Sequence, residues 1–195
     1  YSEKSVRNKY QINKKYILTY VGRLAPEKDL KTFMSIAKGI PKEFNKHIQW
    51  VVAGDGPLRE ELEKEAPENM IFTGYLNGEP LAEIYSVSDL FIFPSPTETF
   101  GNVVLEALAS GTPVIGSNSG GVKNIISPGK NGILCEPGAV NQFIHAITHL
   151  LSHNSERWQM AMEGRNYALS QRWDHIFEQL IQQYATTIQE KKKYA

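Results

Sequence analysis

Six short apolar runs punctuate this chain: Tyr16–Val21 (YILTYV), Ile48–Ala53 (IQWVVA), Met70–Thr73, Leu90–Phe93 (LFIF), Pro113–Ile115 and Gly132–Cys135. They are rich in β-branched and aromatic residues, and most stop at glycine or proline. Each predicts a strand buried on both faces. Between them the apolar period lengthens. Leu30, Phe33, Met34 and Ala37 would line one face of a helix over Asp29–Ile40. Further helices are predicted over Leu58–Ala66, Leu81–Val87 and Val103–Ser110, the last closed by Gly111. Three more follow, over Ala139–Ser152, Glu156–Leu169 and Trp173–Lys191. Strands alternating with helices predict an α/β fold, a Rossmann-like doubly wound parallel sheet of about six strands. The closing helices exceed what that sheet needs. Residues 1–15 are polar and lack a period, which reads as a linker or the start of a cut fragment. One domain is therefore expected over 16–185, with a frayed tail over 186–195.

Composition narrows the partners. Lysine plus arginine equals aspartate plus glutamate at 21 each, so no global field points to nucleic acid or anionic lipid. A bound anion would need locally placed charge. The single cysteine, Cys135, rules out an internal disulfide and suits a reducing compartment, so a cytoplasmic location is expected. No apolar run approaches the ~20 residues that span a bilayer, and no signal peptide is visible.

In open α/β sheets ligands bind beyond the carboxyl ends of the strands. Four of those ends carry glycines, small polar residues and a few charges. The first has Gly22-Arg23 with Lys28 beyond it, and the second Gly54-Asp55-Gly56. The fourth strand leads into Pro94–Asn102, and the fifth into Gly116–Gly121. The stretch Glu98–Glu106 is the most informative. Asn102 suits a helix N-cap, and the first turn behind it offers free N–H groups and a positive dipole to a phosphate. Glu106 stands about one turn in, roughly 6 Å from the cap, within reach of a ribose diol. Its helix is apolar on nearly every side, which predicts burial and a need for partners. An acidic residue that only complements the helix dipole is the plainer alternative. Glu98 would face the cleft from the loop. Arg23 and Lys28 suit a diphosphate, or are solvated loop cations.

These segments resemble a known family. ETFGNVVLE (98–106) is similar to the E-X7-E signature of family-four retaining glycosyltransferases of GT-B fold. VGRLAPEKD (21–29), VVAGDGPLREELE (51–63), IFTGYL (71–76), residues 88–122, NGILCEPG (131–138) and RWDHIFEQLIQQY (172–184) resemble its other motifs in order. The resemblance implies one half of a GT-B enzyme, the domain that binds a nucleotide-sugar donor. It implies that Arg23 and Lys28 hold the diphosphate and stabilise the leaving group. Glu98 would contact the transferred sugar and Glu106 the ribose. Backbone at Phe100, Gly101, Asn102 and Val103 would meet sugar and phosphate, and backbone at Leu76 the base, with Gly22 and Gly54 beside them. Asp29 stands where the family often has glycine, and Lys123-Asn124 where it often has Pro-Glu.

The chemistry implied is retaining transfer of a sugar to an acceptor, with no metal and no cofactor. No D-x-D cluster stands at a strand end, and the cations and helix amides would match the leaving charge. The partner would be an acceptor-binding N-terminal domain absent from this chain, so the isolated piece is expected to be inactive. Membrane association is expected, if at all, through that domain alone. A UDP-sugar epimerase or a non-catalytic scaffold on the same fold are the alternatives. His145, His149 and His153 recur at helical spacing and read as a half-exposed face, although such a stripe can chelate a transition metal. Cys135 reads as a buried small hydrophobe, Trp158, Trp173 and Phe177 as helix core, and Glu190–Lys193 as a frayed helix end.

Overall fold

The six apolar runs pair into one parallel sheet in a computed structural model of the chain, which describes residues 2–171 and 173–193. In chain order the elements are α1 (Glu3–Lys9), β1 (Tyr16–Val21), a 3₁₀ turn (Pro26–Lys28), α2 (Leu30–Gly39), α3 (Lys42–Asn45) and β2 (Ile48–Ala53). Then come α4 (Arg59–Glu65), β3 (Met70–Gly74), α5 (Gly78–Val87), β4 (Leu90–Phe93), α6 (Asn102–Ala109) and β5 (Val114–Ser117). The chain continues through α7 (Val122–Ile125), β6 (Gly132–Cys135), α8 (Val140–Ser152), α9 (Asn154–Ser170) and α10 (Trp173–Lys193). Among the described residues no helix is long and apolar enough to cross a membrane.

The strand order is β3-β2-β1-β4-β5-β6, and every neighbour pair is parallel. The chain builds outward from β1 to β3, then crosses back to place β4 against β1, with Leu18 beside Leu90. That reversal is the topological switch point, where such sheets open a crevice. The runs are apolar throughout because both faces of β1 and β2 are covered. Leu18, Tyr20, Trp50 and Val52 enter the larger core, while Ile17 and Val51 meet Val6, Ile12, Ile84 and Val87. Aromatic contacts bind the larger core across elements. Tyr20 lies 5.2 Å from Phe33, and Phe33 meets the Trp50 ring edge-on at 5.5 Å.

Several elements depart from the expected ones. The segment read as a linker forms α1. The segment's two aliphatic residues, Val6 in α1 and Ile12 just beyond it, are buried against α5, and Lys9 pairs with Glu83 at 2.6 Å. Two aliphatic positions in fifteen carry no period, so the helix shows only in the packing. Trp158 is 67% exposed and is not core. The inward face of α9 runs through Met160 and Gly164, and a Cβ at Gly164 would come within 2.7 Å of Leu108 Cδ2. Trp158 sits two residues from Met160, about 200° around the helix, and points outward. Phe177 is also exposed, with Leu180, Ile181, Tyr184 and Ile188 on the same stripe of α10. The side chain of Trp173, and Arg172 of the closing motif, lie outside the described residues. Cys135 is buried, as expected, and burial pushes its thiol up to about 12.

Candidate donor-binding site

Two loops meet at the switch point. After β1 the chain passes Gly22 and Arg23, buries Leu24 and Ala25, and makes the 3₁₀ turn that ends in Lys28. Asp29 then adopts φ +50° and caps α2, its carboxylate accepting from Thr32 N at 3.4 Å. A left-handed residue that must also cap a helix can be aspartate, which tolerates that region better than most residues. The position therefore keeps its turn without glycine. After β4 the chain runs through Thr97 and Glu98 into α6. Thr97 Oγ1 donates to Glu27 O at 2.6 Å, and Lys28 Nζ lies 2.7 Å from Glu98 Oε2. Both side chains of that ion pair are largely shielded, at 18% and 20% exposure.

The glycines of the loop after β5 seat Glu98. Gly121 N donates to Glu98 O at 2.6 Å, and a Cβ on Gly120 would stand 2.2 Å from the same oxygen. Arg23 is held more loosely, 69% exposed and 3.8 Å from Glu27. Lys123 and Asn124 are exposed on α7, and Lys123 has no ion-pair partner among the described residues.

Helix α6 begins at the mouth of this junction. Its N-cap is Gly101, not Asn102, and no side chain caps it. Gly101 takes φ +94° and a Cβ there would press within 2.9 Å of Ile125 Cδ1, so glycine makes the entry to the helix. The first helical bond runs from Val104 N to Gly101 O, which leaves the N–H groups of Asn102 and Val103 ahead of it.

Glu106 is likewise not buried. Val104, Ala107 and Leu108 turn inward, while Asn102, Glu106 and Ala109 form the open face of α6. An all-apolar helix needs only one face on the core, and here its other face borders a cleft. Glu106 Oε2 accepts from Tyr85 Oη at 3.2 Å. That hydroxyl also lies 3.2 Å from Val103 O, so its single hydrogen is shared. Desolvation raises the Glu106 carboxyl above the usual glutamate range, and the Tyr85 bond only partly offsets it.

The cleft has a volume of about 530 Å³. Of the residues expected from sequence, it is lined by Gly22, Arg23, Gly54, Leu76, Val103 and Glu106. Glu98, Phe100 and Gly101 lie in the adjoining loop that feeds α6, Asn102 opens that helix, and Lys28 ends the 3₁₀ turn beside Glu98. Asp55, singled out at its strand end but given no role, also lines it, with Val21, Ala53, Tyr75, Asn77, Gly78 and Leu81, to which sequence reasoning gave no role in binding. Tyr75, 72% exposed directly after β3, was the available signal: a large ring left in solvent at a strand end.

The family model for glycosyl transferases group 1 matches residues 2–167. A GDP-mannose-dependent alpha-mannosyltransferase of Corynebacterium glutamicum is 34% identical over 89% of this chain and 40% of its own length. A sulfoquinovosyl transferase of Arabidopsis thaliana is 37% identical over 73% of the chain and 28% of its own. The chain thus spans less than half the length of these curated relatives. Among solved structures, the C-terminal domain of a glycosyl transferase group 1 family protein from Francisella tularensis superposes with TM-score 0.75 at 24% identity, covering 87% of this chain and 92% of that one. Anabaena HepE, solved with UDP, gives TM-score 0.78 at 23% identity, over 96% of this chain and 52% of its own.

Proposed function

Because the chain belongs to the glycosyl transferases group 1 family, we propose that it is the donor-binding half of a retaining glycosyltransferase that moves a sugar from a nucleoside diphosphate to an acceptor. The observation that carries this reading is Glu106, a carboxylate on the open face of α6 one turn from the helix's free amides, inside the cleft at the switch point. Glu106 accepts the two ribose hydroxyls. Tyr75 and the backbone at Leu76 flank the base, and the amides of Asn102 and Val103 meet phosphate oxygens.

When the anomeric C–O bond to the diphosphate breaks, its electron pair stays on a phosphate oxygen. Arg23, Lys28 and the α6 dipole stand where that charge develops, so the chain's own groups match it without a cation. Lys28 is paired with Glu98 at 2.7 Å. Donor binding exchanges this pair: the diphosphate takes the lysine, and the sugar hydroxyls take the carboxylate. Glu98 therefore positions the sugar and is not a nucleophile. The acceptor is bound by a further domain, without which sugar transfer is not expected.

Calorimetry with GDP, UDP and ADP tests the reading. GDP comes first, since the mannosyltransferase relative is named for a GDP-linked donor. At least one should bind, and Glu106→Ala should weaken it. No binding of any of the three at millimolar concentration would sink the proposal. Transfer by the longer protein in excess chelator tests metal independence.

A further inference from the structure

Away from the donor cleft, the described residues bring one group of metal-ligating side chains together at the corner between α8 and α9. His149 lies in the last turn of α8, His153 is the single residue between the helices, and Glu156 lies in the first turn of α9. One ligand atom from each lies within 4.8 Å of the other two. The rings of His149 and His153 stack with centroids 4.2 Å apart. His149 Nε2 is 2.8 Å from Glu156 Oε2. His153 Nδ1 is 2.8 Å from the carbonyl oxygen of His149. A carbonyl only accepts, so Nδ1 carries the hydrogen, and Nε2 of the neutral ring keeps a lone pair. Metal-ligating histidines are commonly held this way, one nitrogen on a backbone carbonyl and the other on the ion.

We propose that His149, His153 and Glu156 bind a zinc-class divalent transition metal that clips α8 to α9. Two imidazoles and one carboxylate suit zinc or its neighbours, and not magnesium or calcium, which take oxygen ligands. The cation replaces the proton shared between His149 and Glu156. Tetrahedral zinc with bonds of ~2.0 Å needs ligands about 3.3 Å apart. The 2.8 Å pair must open slightly and the stacked rings must turn so that their in-plane lone pairs converge; the side chains of His149 and Glu156, 36% and 43% exposed, have room to move. Water fills the remaining position. His145, whose ring is 6.5 Å from that of His149, stays outside the group. The clip has a structural consequence. Helix α8 packs on α2 and α9 packs on α6. It therefore fixes the two helices that back the loops carrying Lys28 and Glu98.

Zinc chloride titrated by calorimetry into the metal-stripped chain, near neutral pH, tests the site without any nucleotide. Cobalt(II) substitution gives a visible spectrum as a second readout. One equivalent of zinc should bind and raise the melting temperature. His153→Ala and Glu156→Gln should each weaken it by more than about tenfold, the loss that even outer-shell changes cause at metal sites. His145→Ala should leave it unchanged. All three positions are at least partly exposed, and circular dichroism would verify that the variants stay folded. No saturable binding at sub-millimolar zinc would overturn the proposal. So would affinity that survives both His153→Ala and Glu156→Gln, or that falls with His145→Ala instead.

Discussion

The two glutamates at either end of one nine-residue stretch sit in opposite electrostatic settings. Glu98 is shielded and neutralised by a lysine 2.7 Å away. Glu106 is open to the cleft, yet among the described residues it has only a shared tyrosine hydroxyl to support its charge, and desolvation raises its carboxyl. A carboxylate with a full counter-ion must be freed before it can serve a ligand. One left short of partners gains from every donor a ligand brings. The same residue type thus costs the ligand something at one end and rewards it at the other.

Substitutions can break this contrast. The largest effect is expected for Glu106→Ala. Hydrogen bonds to a charged group contribute about 1.5–3 kcal/mol, so nucleoside diphosphate affinity should fall about 10–100-fold in calorimetry. Glu98→Gln should act the other way. It releases Lys28 for the diphosphate, and a partly shielded pair contributing up to about 1 kcal/mol predicts unchanged to about fivefold tighter binding. Equal losses from both variants would end the distinction.

Acidification comes next. Because the Glu106 carboxyl is raised, it loses its charge at a higher pH than an ordinary glutamate, and a protonated group accepts the diol poorly. Affinity should therefore decline from above the usual glutamate range as pH falls, and Glu106→Gln should flatten the profile. Tyr85→Phe is the finest probe. Removing the one bond that lowers this carboxyl should move the decline to higher pH and cost about 1 kcal/mol of stability in urea unfolding. A profile unmoved by this change would mean that the hydroxyl serves Val103 O alone.

Much of the fold was legible in the sequence because a strand buried on both faces is written locally. YILTYV and LFIF need no partner to be read, and the alternation with helices implied a parallel sheet. Short-range pattern could not supply what depends on an opposing surface. Val6 holds α1, and Ile12 the segment just after it, only because α5 stands ready for them. The face through Met160 and Gly164, which packs inward, decides which way Trp158 points. The cleft was legible as strand-end chemistry, and Arg23, Val103 and Glu106 line it. The cap assignment failed because Asn102 is a good cap by type. The chain instead enters the helix through a left-handed turn at φ +94°, which glycine adopts without strain. Glu106 was expected to be buried because an apolar helix does not say which of its faces meets solvent.

The seam between β1 and β4 joins residues 72 apart in sequence, as the bond from Ile17 N to Asp89 shows. During synthesis the β1–β2–β3 half emerges first, with one edge of β1 unpaired until β4 arrives. Local pairings close early and distant ones late. The cleft is therefore among the last features to exist. A nucleotide that recognises it can slow unfolding but has nothing to hold while the chain is still folding, so it should not speed refolding.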